Sequence, residues 1–134
     1  MSASEHAARL LLVASAALHL GFGAAIAVDP MPWMANLSIE ATSAAGWAEL
    51  RAFYGGLLFS LGALFAHSAL ARVRLRSGLR WLTGTYLGAA LVRGSWLAID
   101  RVTDPLLLEL LALEAAFALL GGLCLFALRR GASD

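Results

Sequence analysis

The sequence predicts an all-α integral membrane protein, an antiparallel four-helix transmembrane bundle with both termini in the cytoplasm. Of its 134 residues, 60% are hydrophobic and 14% are charged, and the mean hydropathy is +0.77. Soluble domains are about 45–50% apolar and about 25% charged, so this composition excludes an ordinary soluble domain. The net charge is only +1, and we therefore expect no nucleic-acid partner.

Four apolar stretches are each long enough to cross a bilayer as a helix. A hydrocarbon core of about 30 Å requires about 20 apolar residues, and a helix satisfies its backbone polar groups within the segment. The first stretch also resembles a secretory signal, but we expect it to stay as a permanent helix. We treat residues 1–134 as a single membrane domain. The predicted spans are 10–28, 52–71, 81–99 and 106–128.

The arginines determine the predicted orientation. All ten basic residues are arginine, and seven of them flank the span ends that the positive-inside rule assigns to the cytoplasm. The 29–48 loop contains no basic residue, so we expect it outside, with residues 100–105. Short links at 72–80 and 100–105 would make spans two, three and four antiparallel neighbours. The seven arginines are Arg9, Arg72, Arg74, Arg76, Arg80, Arg129 and Arg130.

Three ionisable side chains fall deep inside the predicted spans. Helix rise puts Arg93 roughly 9 Å, Glu114 roughly 12 Å and His19 roughly 13 Å below the outer ends of their helices. A charge at the centre of a spanning helix costs about 2.5–3.5 kcal/mol, so Arg93 and Glu114 need partners or water. Because their depths differ by roughly 3 Å on adjacent antiparallel helices, we predict that they bond directly or through one water.

Other polar and small residues complete the predicted site. Trp96 lies on the same helical stripe as Arg93 and Asp100. Glu49 and Arg51 start the second span about 200° apart, so each should contact a different neighbouring helix. Glycines mark close helix contacts in membranes. We expect that role for Gly55, Gly56, Gly62, Gly84, Gly88, Gly121 and Gly122.

Three features resemble the pattern of a known family. They are the Glu-x-Arg-x-x-Tyr-Gly-Gly stretch at 49–56, the arginine Arg93 in the third span and the glutamate Glu114 in the fourth. Over almost its whole length the chain resembles the bacterial domain-of-unknown-function family 4345. That family consists of small four-helix membrane proteins, loosely similar to the DoxX-like group, and its name implies no activity. The expected location is the bacterial cytoplasmic (inner) membrane, as a multi-pass protein. The resemblance implies one constellation of Glu49, Arg51, Tyr54, Gly55, Gly56, Arg93 and Glu114.

Three functions remain open. The first is a non-enzymatic protein whose polar pocket, in the outer half of the bundle, binds a small amphipathic ligand such as a lipid or quinone headgroup. The second is an accessory or assembly subunit of a larger membrane complex, or a homo-oligomer, with purely structural charges. The third is a proton-coupled transporter or intramembrane isomerase that uses Glu114. The predicted ligand-binding residues are His19, Glu49, Arg51, Tyr54, Arg93, Trp96 and Glu114, with Gly55 and Gly56 as structural glycines.

The sequence contains no pattern of a metal, haem or redox site. No His-x-x-x-His, Glu-x-x-His or Cys-x-x-Cys spacing occurs, and the three histidines do not cluster. No Gly-x-Ser-x-Gly stretch indicates a serine nucleophile. We therefore expect no metal and no cofactor, and we assign no catalytic residue. Membrane lipid is the expected partner.

Overall fold

The computed structural model describes residues 2–130, and all regular secondary structure in that range is helical. The helices are α1 (Ala3–Val28), α2 (Met31–Met34), α3 (Ala44–Leu50), α4 (Leu57–Ala69), α5 (Arg72–Asp100) and α6 (Pro105–Arg130). A 3₁₀ turn at Ala35–Leu37 follows α2, and a π-helical turn at Arg51–Gly56 joins α3 to α4 into one continuous helix, Ala44–Ala69.

Three helices in the described part of the chain are long and apolar enough to cross a membrane: α1, Ala44–Ala69 and α6. They indicate a membrane protein. The predicted span 81–99 lies on α5, which is helical over 29 residues but is not among these three. Four arginines in its first turns, together with the arginine, tryptophan and threonine side chains further along, lower its hydropathy.

Two predicted connections are shorter in the structure. The link 72–80 is wrong, because those residues form the first turns of α5 and only residues 70–71 separate it from α4. Arginine and leucine both favour helix, so the charges do not interrupt it. The predicted loop 29–48 ends at Ser43, whose hydroxyl caps α3 by accepting the N–H of Gly46 at 3.1 Å.

Local hydrogen bonds define the starts of α1 and α6. Ser2 and Glu5 form a reciprocal capping box: the Ser2 N–H donates to the Glu5 carboxylate at 3.1 Å, and the Glu5 N–H donates to the Ser2 hydroxyl at 3.3 Å. At α6, the Asp104 carboxylate accepts the N–H of Leu107 at 3.1 Å, and Pro105 occupies the first helical position. Both helices therefore begin before their apolar stretches do.

The chain divides into two compact units, one containing residues 2–12 and 68–130 and the other residues 13–67. In the first unit α5 packs on α6. Tyr86 stacks on Phe117 with ring centroids 4.7 Å apart, and Gly121 lies directly against the Thr83 hydroxyl. No side chain larger than glycine fits at Gly121 without moving Thr83.

In the second unit the π-helical turn and α4 pack closely on α1. A Cβ atom at Gly55 would lie 2.7 Å from the Ala27 backbone nitrogen, and one at Gly62 would lie 2.7 Å from that of Leu20. The close-contact role predicted for Gly55, Gly62 and Gly121 is therefore confirmed. Within residues 2–130 it is wrong for the other four. Outside the adjoining helix backbone, no described atom lies closer than 3.9 Å to the Cβ position of Gly56, and none lies within 4 Å of those of Gly84, Gly88 and Gly122.

Candidate functional site

Arg93 and Glu114 form a direct ion pair between α5 and α6. Arg93 Nη2 lies 2.7 Å from Glu114 Oε1, and Arg93 Nε donates to Oε1 at 3.2 Å and to Oε2 at 3.0 Å. The two helices are joined by only four residues, 101–104, so positions counted away from this link lie at matching heights. The predicted bond between these two side chains is confirmed.

The two partners differ in exposure. The Glu114 side chain is 11% exposed and that of Arg93 is 30% exposed. On the buried side, the Tyr86–Phe117 stack lies two turns before Arg93 on α5 and one turn after Glu114 on α6. Charge-assisted hydrogen bonds are stronger where such apolar groups exclude water. The carboxylate is thus fixed in the core, and the guanidinium extends outward from it.

A groove of about 460 Å³ opens beside this guanidinium. Because Nε and Nη2 bind the carboxylate, Nη1 is left without a hydrogen-bond partner among residues 2–130. Trp96, which is 58% exposed, forms part of the wall. The groove is lined by Ala89, Val92, Arg93, Trp96, Leu97, Asp100, Val102 and Leu107.

The groove beside Arg93 carries no net positive charge. The positive charge of Arg93 is already paired with Glu114, and the exposed Asp100 carboxylate adds a negative charge. An additional anion would therefore meet a neutralised arginine and a repelling carboxylate. A neutral oxygen acceptor would meet only an N–H donor. Asp100 was absent from the predicted ligand residues, although its position seven residues after Arg93 put it on the same stripe.

In the second unit, Arg51 lines a different groove. This groove has a volume of about 440 Å³, and Asp29, Met31, Ala44 and Trp47 form the rest of its lining. All five residues belong to α3 with its π-helical turn, or to the segment just after α1. Arg51 is exposed and begins the π-helical turn, a type of turn that is frequent at functional sites.

The other predicted residues of the second unit occupy different environments. Glu49 and Tyr54 are exposed, and the Tyr54 ring lies edge-on to Phe53. His19 is buried: Nδ1 lies 2.8 Å from the Ser15 carbonyl oxygen, and the imidazole packs edge-on against Phe65 at 5.3 Å. The seven predicted ligand residues thus divide between the units, with Arg93, Trp96 and Glu114 in the first and His19, Glu49, Arg51 and Tyr54 in the second.

A second ion pair, which the sequence does not predict, joins Glu5 to Arg72 in the first unit. Arg72 belongs to the predicted link 72–80, and Glu5 lies outside the predicted spans. The Ser-x-x-Glu spacing of residues 2–5 is a helix-start signal that would have placed Glu5 on α1. Within residues 2–130, no three histidine, cysteine, aspartate or glutamate side chains cluster in a way that could hold a metal ion.

Comparison with known proteins identifies the family. The family model described as "Domain of unknown function (DUF4345)" matches residues 7–125. No curated protein matches the chain, and no solved structure does. The matched region contains the Glu49–Gly56 stretch and both members of the Arg93–Glu114 pair, and it covers most of the sequence. The chain therefore belongs to the DUF4345 family.

Proposed function

We propose that this protein binds a small amphipathic ligand, with a neutral polar headgroup such as that of a quinone, in the groove beside Arg93. The observation that carries the proposal is the Arg93 guanidinium, which is fixed by Glu114 on one edge and has Nη1 unpartnered beside an apolar groove. Ligand pockets typically combine apolar walls with a few oriented polar groups.

In this proposal each part of the groove has its own role. Nη1 would donate to a carbonyl oxygen of the ligand, and the exposed Trp96 indole would pack against its ring. Val92, Leu97 and Leu107 would contact its apolar portion. Glu114 is not free for a separate task, since both of its oxygens are bonded to Arg93. A proton-carrying role for Glu114 would first require that ion pair to break.

The charge balance favours a quinone over an anionic lipid headgroup. Asp100 would repel a phosphate group, and the Arg93 charge is already compensated. A quinone carbonyl gains a hydrogen bond from Nη1 without introducing a charge. This charge distribution is the reason why we propose a quinone rather than an anionic lipid for this groove.

The proposal includes a location and a topology. We propose four membrane crossings in a bacterial cytoplasmic (inner) membrane, with α5 as the fourth spanning helix and both termini in the cytoplasm. A helix of 29 residues is roughly 43 Å long, which exceeds the hydrocarbon thickness. Pairing with Glu114 compensates the Arg93 charge and thus lowers its cost in the bilayer. Six arginines on α5 and α6 lie at the end of the helix pair opposite the 101–104 link, as the positive-inside rule requires.

The proposed ligand contacts in the second unit centre on Arg51. Its groove also combines an arginine, a tryptophan and an aspartate, so it is suited to the same class of neutral headgroup. We propose that the exposed Glu49 and Tyr54 side chains add further polar contacts in this unit, and that the buried His19 supports its core.

A binding titration tests the function. Purified protein in mild detergent is titrated with decylubiquinone, and quenching of tryptophan fluorescence and a rise in the unfolding temperature are measured. We expect saturable binding that weakens at least tenfold in Trp96→Leu and in Arg93→Lys, because lysine keeps the charge but loses the N–H fork. Trp81→Leu, an exposed tryptophan outside this groove, is the matched control. If the wild type shows no saturable binding, or if all three variants bind equally well, the proposal is wrong.

A further inference from the structure

A second groove lies at the arginine-rich end of the first unit, away from Arg93. It has a volume of about 480 Å³ and lies where α1, α5 and α6 have their charged ends. It is lined by Glu5, Arg72, Val73, Leu75, Arg76 and Leu128. Its lining combines two guanidinium groups with an apolar floor.

Internal contacts hold the two arginines of this groove in place without using all their donors. Arg72 Nε pairs with the Glu5 carboxylate, and the Arg72 side chain is nevertheless 79% exposed. Arg76 Nη2 donates to the Leu128 carbonyl oxygen at 2.7 Å. Each guanidinium has five N–H donors in a rigid fork. Donors therefore remain that can reach an oxygen-rich ligand in the groove.

This groove carries a net positive charge, unlike the groove beside Arg93. Two arginines and one glutamate give the lining a net charge of +1. Further arginines follow on the same helix ends, at Arg80 on α5 and at Arg129 and Arg130 on α6. Basic pockets between helices at the membrane surface bind anionic lipid headgroups, and arginine forks match the geometry of phosphate.

The apolar part of the groove fits an acyl chain better than a free ion. Leu75 and Leu128 are buried and form its floor, while Val73 is exposed at its edge. Arg129 and Arg130 directly follow Leu128, so the groove lies at the transition between apolar helix and charged surface. A phospholipid presents phosphate and hydrocarbon at this same boundary.

We propose that this groove binds the phosphodiester headgroup of an anionic phospholipid, with Arg72 and Arg76 holding the phosphate and Leu75 and Leu128 contacting the start of an acyl chain. Glu5 opposes the bound phosphate electrostatically and occupies one edge of Arg72. It therefore limits the affinity and makes lipid exchange easier. This site is separate from the neutral-ligand groove, and neither proposal depends on the other.

Native mass spectrometry tests the proposal directly. Purified protein is incubated in mild detergent with equal amounts of phosphatidylglycerol and phosphatidylcholine, and the retained lipids are counted. We expect selective retention of phosphatidylglycerol, reduced about tenfold in the double variant Arg72→Gln, Arg76→Gln. Arg80→Gln, which removes one positive charge from the same helix but outside the groove, is the charge-matched control for the single variant Arg72→Gln and should change retention less than twofold. Glu5→Gln should increase retention.

Several outcomes would overturn the proposal. An equal loss in Arg80→Gln would assign the effect to diffuse positive charge, and unchanged retention in the double variant would exclude the groove. If inorganic phosphate alone displaced the lipid and protected the protein equally from heat, a free anion would be the ligand instead. Unfolding temperatures in phosphatidylcholine alone establish that each variant is folded. If the double variant is not, the single Arg72→Gln variant, altered at a 79% exposed side chain, provides the same test.

Discussion

Replacing Arg93 and replacing Glu114 should destabilise the protein by different amounts, although the two side chains form one ion pair. Arg93→Leu leaves the Glu114 carboxylate without its arginine partner, and the Glu114 side chain is only 11% exposed. Removing one partner of a buried pair costs about 3–5 kcal/mol, and because this pair is partly exposed we expect about 3 kcal/mol. Glu114→Leu leaves the longer, 30% exposed guanidinium, which can turn toward water or headgroups, so we expect about 1.5 kcal/mol.

The double variant Arg93→Leu, Glu114→Leu distinguishes pairing from simple loss of contacts. It removes both charges and fills the site with apolar side chains, so its cost should be about 1.5 kcal/mol rather than the additive value of about 4.5 kcal/mol. The coupling energy is then about 3 kcal/mol, near the upper end for contacting residues.

Equilibrium unfolding in mixed micelles, followed by circular dichroism, measures these free energies. Glu109→Leu is the control on the same helix, because Glu109 is exposed; its change should stay within about 0.5 kcal/mol. A double variant as unstable as the sum of the single variants would refute the reasoning. So would a larger cost for Glu114→Leu than for Arg93→Leu, because it would contradict the burial difference between the partners.

Three further predictions concern other parts of the chain. Gly55→Ala should destabilise the protein by more than 1 kcal/mol, because its methyl group would collide with the α1 backbone. Gly56→Ala should be neutral or stabilising by about 0.5 kcal/mol. Chemical unfolding of the two variants checks this difference, and equal effects would contradict it. In intact cells, a thiol reagent that cannot cross the membrane should label a cysteine at Ser38 but not one at Ser77, and the reverse pattern would invert the proposed topology. The pKa of the Glu5 carboxyl lies below its ordinary value of 4.5. Desolvation raises this pKa, but the hydrogen bond from the Ser2 N–H and the charge of Arg72 together lower it by more. A depressed folded pKa stabilises above pH 4.5 and the effect is lost as pH falls through the folded pKa, so Glu5→Gln should be less acid-sensitive below pH 4.5 in thermal unfolding; an unchanged acid profile would contradict this.

Sequence patterning predicted the helices well and their connections less well. Long apolar runs mark where the backbone must be helical in a membrane, and the predicted spans 10–28, 81–99 and 106–128 lie within α1, α5 and α6. An apolar run stops where charged residues begin, but the helix that contains it can continue through those charged residues. The residues 72–80 contain no proline, so α5 extends through its arginines to residue 72.

The sequence predicted how far along its helix each side chain of the site lies, but not on which face of the helix it lies. Counting residues from the common 101–104 link placed Arg93 and Glu114 at similar depths, and that was sufficient because their helices are adjacent. His19 was assigned a similar depth, yet its imidazole bonds to the Ser15 carbonyl oxygen of its own helix and packs on Phe65. Depth alone does not determine the face of a helix on which a side chain lies. The Glu5–Arg72 contact links residues 67 positions apart, and no local pattern connects them.

The π-helical turn at Arg51–Gly56 makes the length of the Glu-x-Arg-x-x-Tyr-Gly-Gly stretch as important as its composition. A π-helical turn contains one residue more than the α-helical turn it replaces. Deletion of Ala52 would convert this turn to a regular α-helical turn, and Trp47 would keep nearly the same direction relative to Gly55 and α4, because the wider turn absorbs the extra residue. A residue inserted between Trp47 and Arg51 would instead rotate Trp47 by about 100° relative to Gly55 and α4. Trp47 would then leave the groove that it now shares with Arg51 and Asp29, although no side chain of that groove had been altered. Substitutions in this stretch should therefore be better tolerated than single-residue insertions.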